Sequence, residues 1–122
     1  MDITSFSRND TATINIKDPL GNLTDIVVEI YGRDSKEYRN AVMEINRKGK
    51  ADNEEELARR GALTMLAAVK SWQNVEADGK PVDPKSEEAV KILADPAYDW
   101  FAEQIGGAIY NRTLFFSERK GS

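Results

Sequence analysis

Histidine and cysteine are both absent from the 122 residues. That rules out Ser-His-Asp and Cys-His nucleophiles, His- or Cys-ligated zinc, Fe–S clusters and thiol redox couples. Carboxylates, Lys, Tyr, Ser and Thr are the chemistry left. Long apolar runs are missing too: none approaches the ~18 residues of a membrane span, and Met1 to Asp10 holds no signal-peptide core. A protein that is cytosolic or delivered without a Sec signal is expected, and cysteine absence fits a reducing compartment without requiring it. Positive charge is in deficit, with 17 Lys+Arg against 21 Asp+Glu and a net −4. A surface built to neutralise duplex phosphates is therefore not expected.

What is present is the composition of one globular domain, with 40% hydrophobic and 31% charged residues on a chain of single-domain length. Residues 1–11 are polar and without period, an expected flexible arm in which Ile3 and Phe6 dock locally. Alternation from Ala12 to Lys17 puts Ile14 and Ile16 on one face, the turn chemistry of Asp18-Pro-Leu-Gly-Asn22 follows, and Asp25 to Tyr31 is rich in β-formers. The two runs predict a hairpin. A lone hairpin is marginal in water, so helices must cover its apolar face.

Four helices are predicted from caps and spacing. Asp34 with Glu37 resembles a capping box for a helix over 35–48, carrying Tyr38, Val42 and Ile45 and stopping at Gly49. Asn53 with Glu56 opens a second, with Leu57, Gly61, Met65, Ala68 and Trp72 along one buried stripe and close backbone packing at Gly61. Asp83-Pro84 opens a third with Ala89, Val90 and Leu93, and Asp95-Pro96 a fourth with Trp100, Phe101, Ile105, Ala108 and Ile109. In the fourth, Gly106-Gly107 can bend the helix or admit another backbone. Between the second and third, Asp78-Gly79 marks a tight turn, predicting a second short hairpin at 74–82 with Pro81 on its edge. The expected fold class is α+β: an N-terminal β-hairpin packed against a mainly helical domain of about four helices. The domain spans 12–116 and a flexible tail 117–122 follows.

Several clusters invite a chemical reading. Asp52, Glu54, Glu55 and Glu56 offer oxygen ligands to a hard cation, but at a helix start they more simply stabilise the dipole. Asp95, Asp99 and Glu103 share a helix edge, where paired carboxylates do acid-base work if a cleft buries them and a solvated edge is the default otherwise. The glycines match neither the P-loop nor the dinucleotide fingerprint. Tyr98, Tyr110, Arg112, Arg119 and Lys120 are too sparse for a stacking platform on an acidic chain. Half of the aromatics fall in the last two dozen residues. Phe101 is expected in the core, while Trp100, Tyr110, Leu114, Phe115 and Phe116 are the candidate interface with a partner or a neighbouring copy.

The order of landmarks is similar to one family. Asp18-Pro-Leu-Gly-Asn-Leu-Thr24 precedes a strand, and Tyr31-Gly-Arg-Asp-Ser-Lys-Glu-Tyr-Arg39 opens a helix. Val69-Lys-Ser-Trp72, Asp78-Gly79, Asp95-Pro-Ala-Tyr-Asp-Trp100 and Ile109-Tyr-Asn-Arg-Thr-Leu-Phe-Phe116 follow. This series resembles the tail assembly chaperones of long-tailed bacteriophages. The resemblance implies a non-enzymatic factor of the host bacterial cytoplasm, absent from the mature virion, that solubilises the tape measure protein and helps recruit tail tube subunits. It also implies a homo-oligomer and a longer product made by ribosomal frameshift, encoded around Leu114-Phe115-Phe116 or Arg119-Lys120-Gly121. No catalytic residue, cofactor, metal, nucleic acid or membrane is implied. The alternatives are a virion structural protein, such as a head-tail connector or tail completion factor, and a small acidic inhibitor of a host protein.

Overall fold

A computed structural model of the chain describes residues 1–119. In order the elements are β1 (Phe6–Arg8), β2 (Thr11–Lys17), β3 (Leu23–Tyr31), α1 (Lys36–Asn46), α2 (Glu54–Ala67), β4 (Val69–Gln73), β5 (Glu76–Ala77), β6 (Lys80–Pro81), α3 (Glu87–Ala94), α4 (Asp99–Ile109) and β7 (Phe116–Glu118). Short 3-10 turns cover Ile3–Ser5, Pro96–Tyr98 and Arg112–Phe115. The fold is α+β, as its sequence predicts.

The expected hairpin is β2 and β3. Its turn is held by Asp18, whose carboxylate accepts from the amides of Leu20 and Asn22, each at 2.9 Å, while Gly21 takes φ 89°. Antiparallel pairing sets Ile14 opposite Val28 and Val28 opposite Trp72, so one sheet face is apolar throughout. Ile16, Val28 and Ile30 are fully buried there, and Thr13, Asn15 and Lys17 line the wet face, the usual arrangement of an antiparallel sheet. Helix α4 covers the apolar face with Phe101, Ile105 and Ile109. The Phe101 ring lies 5.7 Å from that of Trp72 and 5.9 Å from that of Trp100, centroid to centroid.

The third strand corrects the sequence reading, which ran the second helix on to Trp72. Helix α2 stops at Ala67, and Val69–Gln73 joins the sheet as β4. The register shifts between Glu29 and Ile30, so that Ile30 pairs with Val69 and Glu29 with Ser71. This bulge carries both Val69 and Trp72 to the core face three residues apart, a spacing that in sequence imitates a helix. The stripe through Leu57 and Gly61 is also not the buried one: Leu57 is 63% exposed and Ala62 is the buried residue of α2. A Cβ at Gly61 would meet nothing within 4 Å, so no close backbone packing occurs there.

Two caps move as well. Ser35, not Asp34, caps α1, its hydroxyl accepting from the Tyr38 amide at 3.1 Å. Ser86 caps α3, while Asp83 closes the preceding turn by accepting from the Lys85 amide at 2.8 Å. Asn53 caps α2 as expected, at 2.8 Å from the Glu56 amide, and the Asp95 carboxylate opens the 3-10 turn that leads into α4. The second hairpin forms as β5 and β6, with Asp78 at φ 52° and Gly79 at φ 76°. The indole of Trp72 donates to the Val82 carbonyl at 2.7 Å and ties this hairpin to the core.

The termini depart most from expectation. The stretch read as a flexible arm contributes β1, and Ser117 and Glu118 of the expected tail belong to β7, which pairs antiparallel with it. Lys120–Ser122 lie outside the described residues. Three residue pairs join the strands, extended by the Asn9 amide donating to the Phe115 carbonyl at 2.6 Å and the Arg119 amide donating to that of Ser5 at 2.9 Å. Ile3 does not dock. It is 85% exposed.

Candidate functional site

The ribbon of β1 and β7 is built from two matching triplets, Phe6-Ser7-Arg8 and Phe116-Ser117-Glu118. Both read aromatic, serine, charge, and the charges differ in sign. Alternation sends every second side chain of a strand to the same face. Ser7 and Ser117 lie opposite each other in the pairing and share one side of the ribbon. The Arg119 guanidinium donates to the Ser7 hydroxyl at 3.1 Å, and the Asn9 amide nitrogen donates to that of Ser117 at 3.3 Å. The other side carries Phe6, Arg8, Phe116 and Glu118, of which Arg8 and Phe116 line a crevice with Asp34 and Tyr110, while Phe6, Phe116 and Glu118 border an open groove.

Of the five candidate interface residues, the structure brings together Tyr110, Phe115 and Phe116, beside Gly32 and Arg33. Phe115 is a core residue. A Cβ on Gly32 would sit 3.2 Å from its ring, so the absent side chain is what admits the phenyl group. Phe116 is 41% exposed, and Tyr110 and Leu114 are exposed as well. Trp100 belongs elsewhere: half-buried at the start of α4, it packs against Phe101. Sequence reasoning missed Ile3, Phe6 and Arg8, although the matched triplets are a legible pairing signal.

Beside the ribbon lies a narrow crevice between Arg8, Asp10, Arg33, Asp34, Tyr110 and Arg112, with room for about one water. Its three arginines surround two aspartates. Arg33 and Arg112 each approach the Asp34 carboxylate at 3.8 Å, Arg8 donates to the Asp34 carbonyl at 2.8 Å, and its other nitrogen is 3.4 Å from Asp10. Exposed pairs of this kind add little stability. The Arg33 guanidinium lies over the Tyr110 ring, 5.6 Å from its centroid. Tyr110 meets the hydroxyl of buried Tyr38 at 3.5 Å. Burial, and then that hydroxyl, push the Tyr38 phenol up to about 12.

Several open grooves are larger, and two stand out by size. One, of about 550 Å³, runs along the ribbon over Ile3, Phe6, Thr113 and Phe116. The other, of about 750 Å³, lies between the end of α1 and α2 over Ala51, Leu57, Gly61 and Thr64, and the two share no residue. The remaining chemical candidates take their plainer readings. Glu56 accepts from the Asp52 amide at 2.8 Å and pairs with Arg60 at 3.0 Å; the amide first and then Arg60 hold its carboxyl below the ordinary range. Asp95, Asp99 and Glu103 are all exposed. Among the described residues no group of three or more carboxylates is placed to hold a metal ion. Tyr98 and Tyr110 stand at opposite ends of α4, about 18 Å apart along its axis, and form no common stacking platform. No described helix is long and apolar enough to cross a membrane. No family model matches the chain, and no curated protein and no solved structure is significantly similar to it.

Proposed function

We propose that this protein is a tail assembly chaperone of a long-tailed bacteriophage, which binds the tape measure protein, keeps it soluble and helps recruit tail tube subunits. The observation that carries the reading is apolar surface left in water in two separate open grooves, around Phe6 and Phe116 in one and Leu57 in the other. A tape measure is a long helix-rich chain. Masking it calls for repeated apolar contacts of modest strength, which the polymerising tube can displace. Charged residues make up 31% of the chain and supply the solubility such a complex needs. The ordered landmarks from Asp18 to Phe116 support the same reading.

Co-expression tests it. The product of the very long gene expected downstream should move from pellet to supernatant when this chain is present, and Leu57→Ser or Phe116→Ser should reduce that effect without loss of helical signal. A tape measure that stays insoluble with wild-type chain overturns the proposal. Recovery of this chain from purified virions by mass spectrometry favours instead a connector or completion factor. Capture of a host enzyme without other phage proteins favours an inhibitor.

A further inference from the structure

We infer that the crevice beside the ribbon takes a carboxylate from outside the chain, carried on an acidic side chain of an extended peptide whose neighbouring apolar residue lies in the adjoining groove. Three arginines and two aspartates leave the crevice with one positive charge, on a chain whose net charge is −4. The three cations are unequally employed. Arg8 is held, one nitrogen on the Asp34 carbonyl at 2.8 Å and the other towards Asp10 at 3.4 Å. Arg33 and Arg112 are not: each Nε stands 3.8 Å from a different oxygen of Asp34, beyond the roughly 2.7–3.2 Å of an N–H···O bond. Their side chains are 49% and 65% exposed, and neither guanidinium makes a hydrogen bond among the described residues. Each carries five N–H donors in a planar fork that matches a carboxylate. Asp34 thus draws two cations together without using their donors, and a second carboxylate completes the arrangement.

The space available selects the anion. With room for about one water, the crevice admits one oxygen of a carboxylate on a slim side chain. A tetrahedral phosphate is too large, and its second charge would face Asp10 and Asp34 with no cation left to balance it. A main chain does not fit either, so the acidic group has to reach in on its own methylene groups. Arg112 and Phe116 line both the crevice and the groove over Ile3 and Phe6. A peptide with its carboxylate between Arg33 and Arg112 therefore lays an adjacent apolar residue on those side chains. In an extended segment, residues two positions apart share a side at about 7 Å, so the partner sequence is an acidic residue with an apolar one two places away.

Titration of isotopically labelled protein with acetyl-Leu-Ser-Glu-Ser-Leu-amide, followed by NMR, tests it. The Nε–H signals of Arg33 and Arg112 should shift and saturate, and the same peptide with glutamine for glutamate should bind about tenfold more weakly, the loss of one charge-assisted contact. Arg112→Gln should weaken binding to a similar degree. Asp34→Asn should tighten it by about threefold, because the internal carboxylate competes for the same two cations; a merely structural Asp34 predicts no gain. Inorganic phosphate at equal concentration should not displace the peptide. Equal binding of the glutamine peptide, displacement by phosphate, an unchanged Arg112→Gln or an Asp34→Asn variant that binds more weakly each overturn the proposal. So does a glutamine peptide with a free C-terminal carboxylate that binds as tightly as the glutamate peptide, since the site would then take chain ends. Should Arg112→Gln fail to fold by circular dichroism, Arg33→Gln takes its place and must weaken binding. No tape measure is present in this assay, so the carboxylate site and the chaperone reading fail separately.

Discussion

Phe115 and Phe116 are neighbours whose fates differ by one strand position. Phe115 fills the space over Gly32, and Phe116 stays 41% exposed. Phe115→Ala should cost about 3–5 kcal/mol, the range for emptying a core aromatic site, whereas Phe116→Ala should change the urea midpoint little. Gly32→Ala should also destabilise, by ~1–3 kcal/mol, because its methyl group and the Phe115 ring compete for one volume. A second residue-scale expectation concerns alkali. An unfolded Tyr loses its proton near pH 10, and folded Tyr38 near about 12. The native state holds the proton longer, so stability from Tyr38 is complete below pH 10 and lost as pH rises towards 12. Tyr38→Phe should flatten that alkaline decline, as read from denaturation midpoints between pH 9 and 12. At this scale the sequence was only partly legible. It marked the C-terminal aromatics as notable, but adjacent Phe residues carry no indication of which one points inward until the partner strand is known.

At the scale of elements, α2 and α4 run through glycines with no visible packing role. Nothing lies within 4 Å of a Cβ built on Gly61 or Gly107, and a mid-helix glycine costs roughly 0.5–1 kcal/mol relative to alanine. Gly61→Ala and Gly107→Ala should each raise the melting temperature by about 2–6 °C, measurable by calorimetry. A fall at either site would mean that the added methyl group meets resistance. The helices themselves were legible because caps and 3.6-residue spacing are local signals, and Asn53 and Asp95 act where they stand. Strand β4 was not, because its bulge replaced period two with a spacing of three. The caps of α1 and α3 were displaced for a related reason. In Asp34-Ser35 and Asp83-Pro-Lys-Ser86 two acceptors compete, and the nearer serine takes the helix amide while the aspartate serves a turn or an arginine pair.

For the whole molecule, the decisive contact joins the two ends. Ser7 opposes Ser117 across the ribbon, and no native thiol exists in the chain to compete. Ser7→Cys with Ser117→Cys should form a single disulfide in air. For a loop of roughly 100 residues the chain-entropy limit is about 4–5 kcal/mol of stabilisation, less whatever strain the bridge introduces. An oxidised variant no more stable than its reduced form would show that the ribbon does not hold the serines at bonding distance. Such a long-range pairing has another consequence, in time rather than energy. Strand β1 is synthesised long before β7, with residues 9–115 between them, and closing so large a loop is entropically costly. The hairpin, the helices and β4 can assemble while translation continues, yet β1 finds its partner only after synthesis of the final strand. The ribbon therefore exists only once residues 116–118 have been made, and a chain cut before them cannot form it.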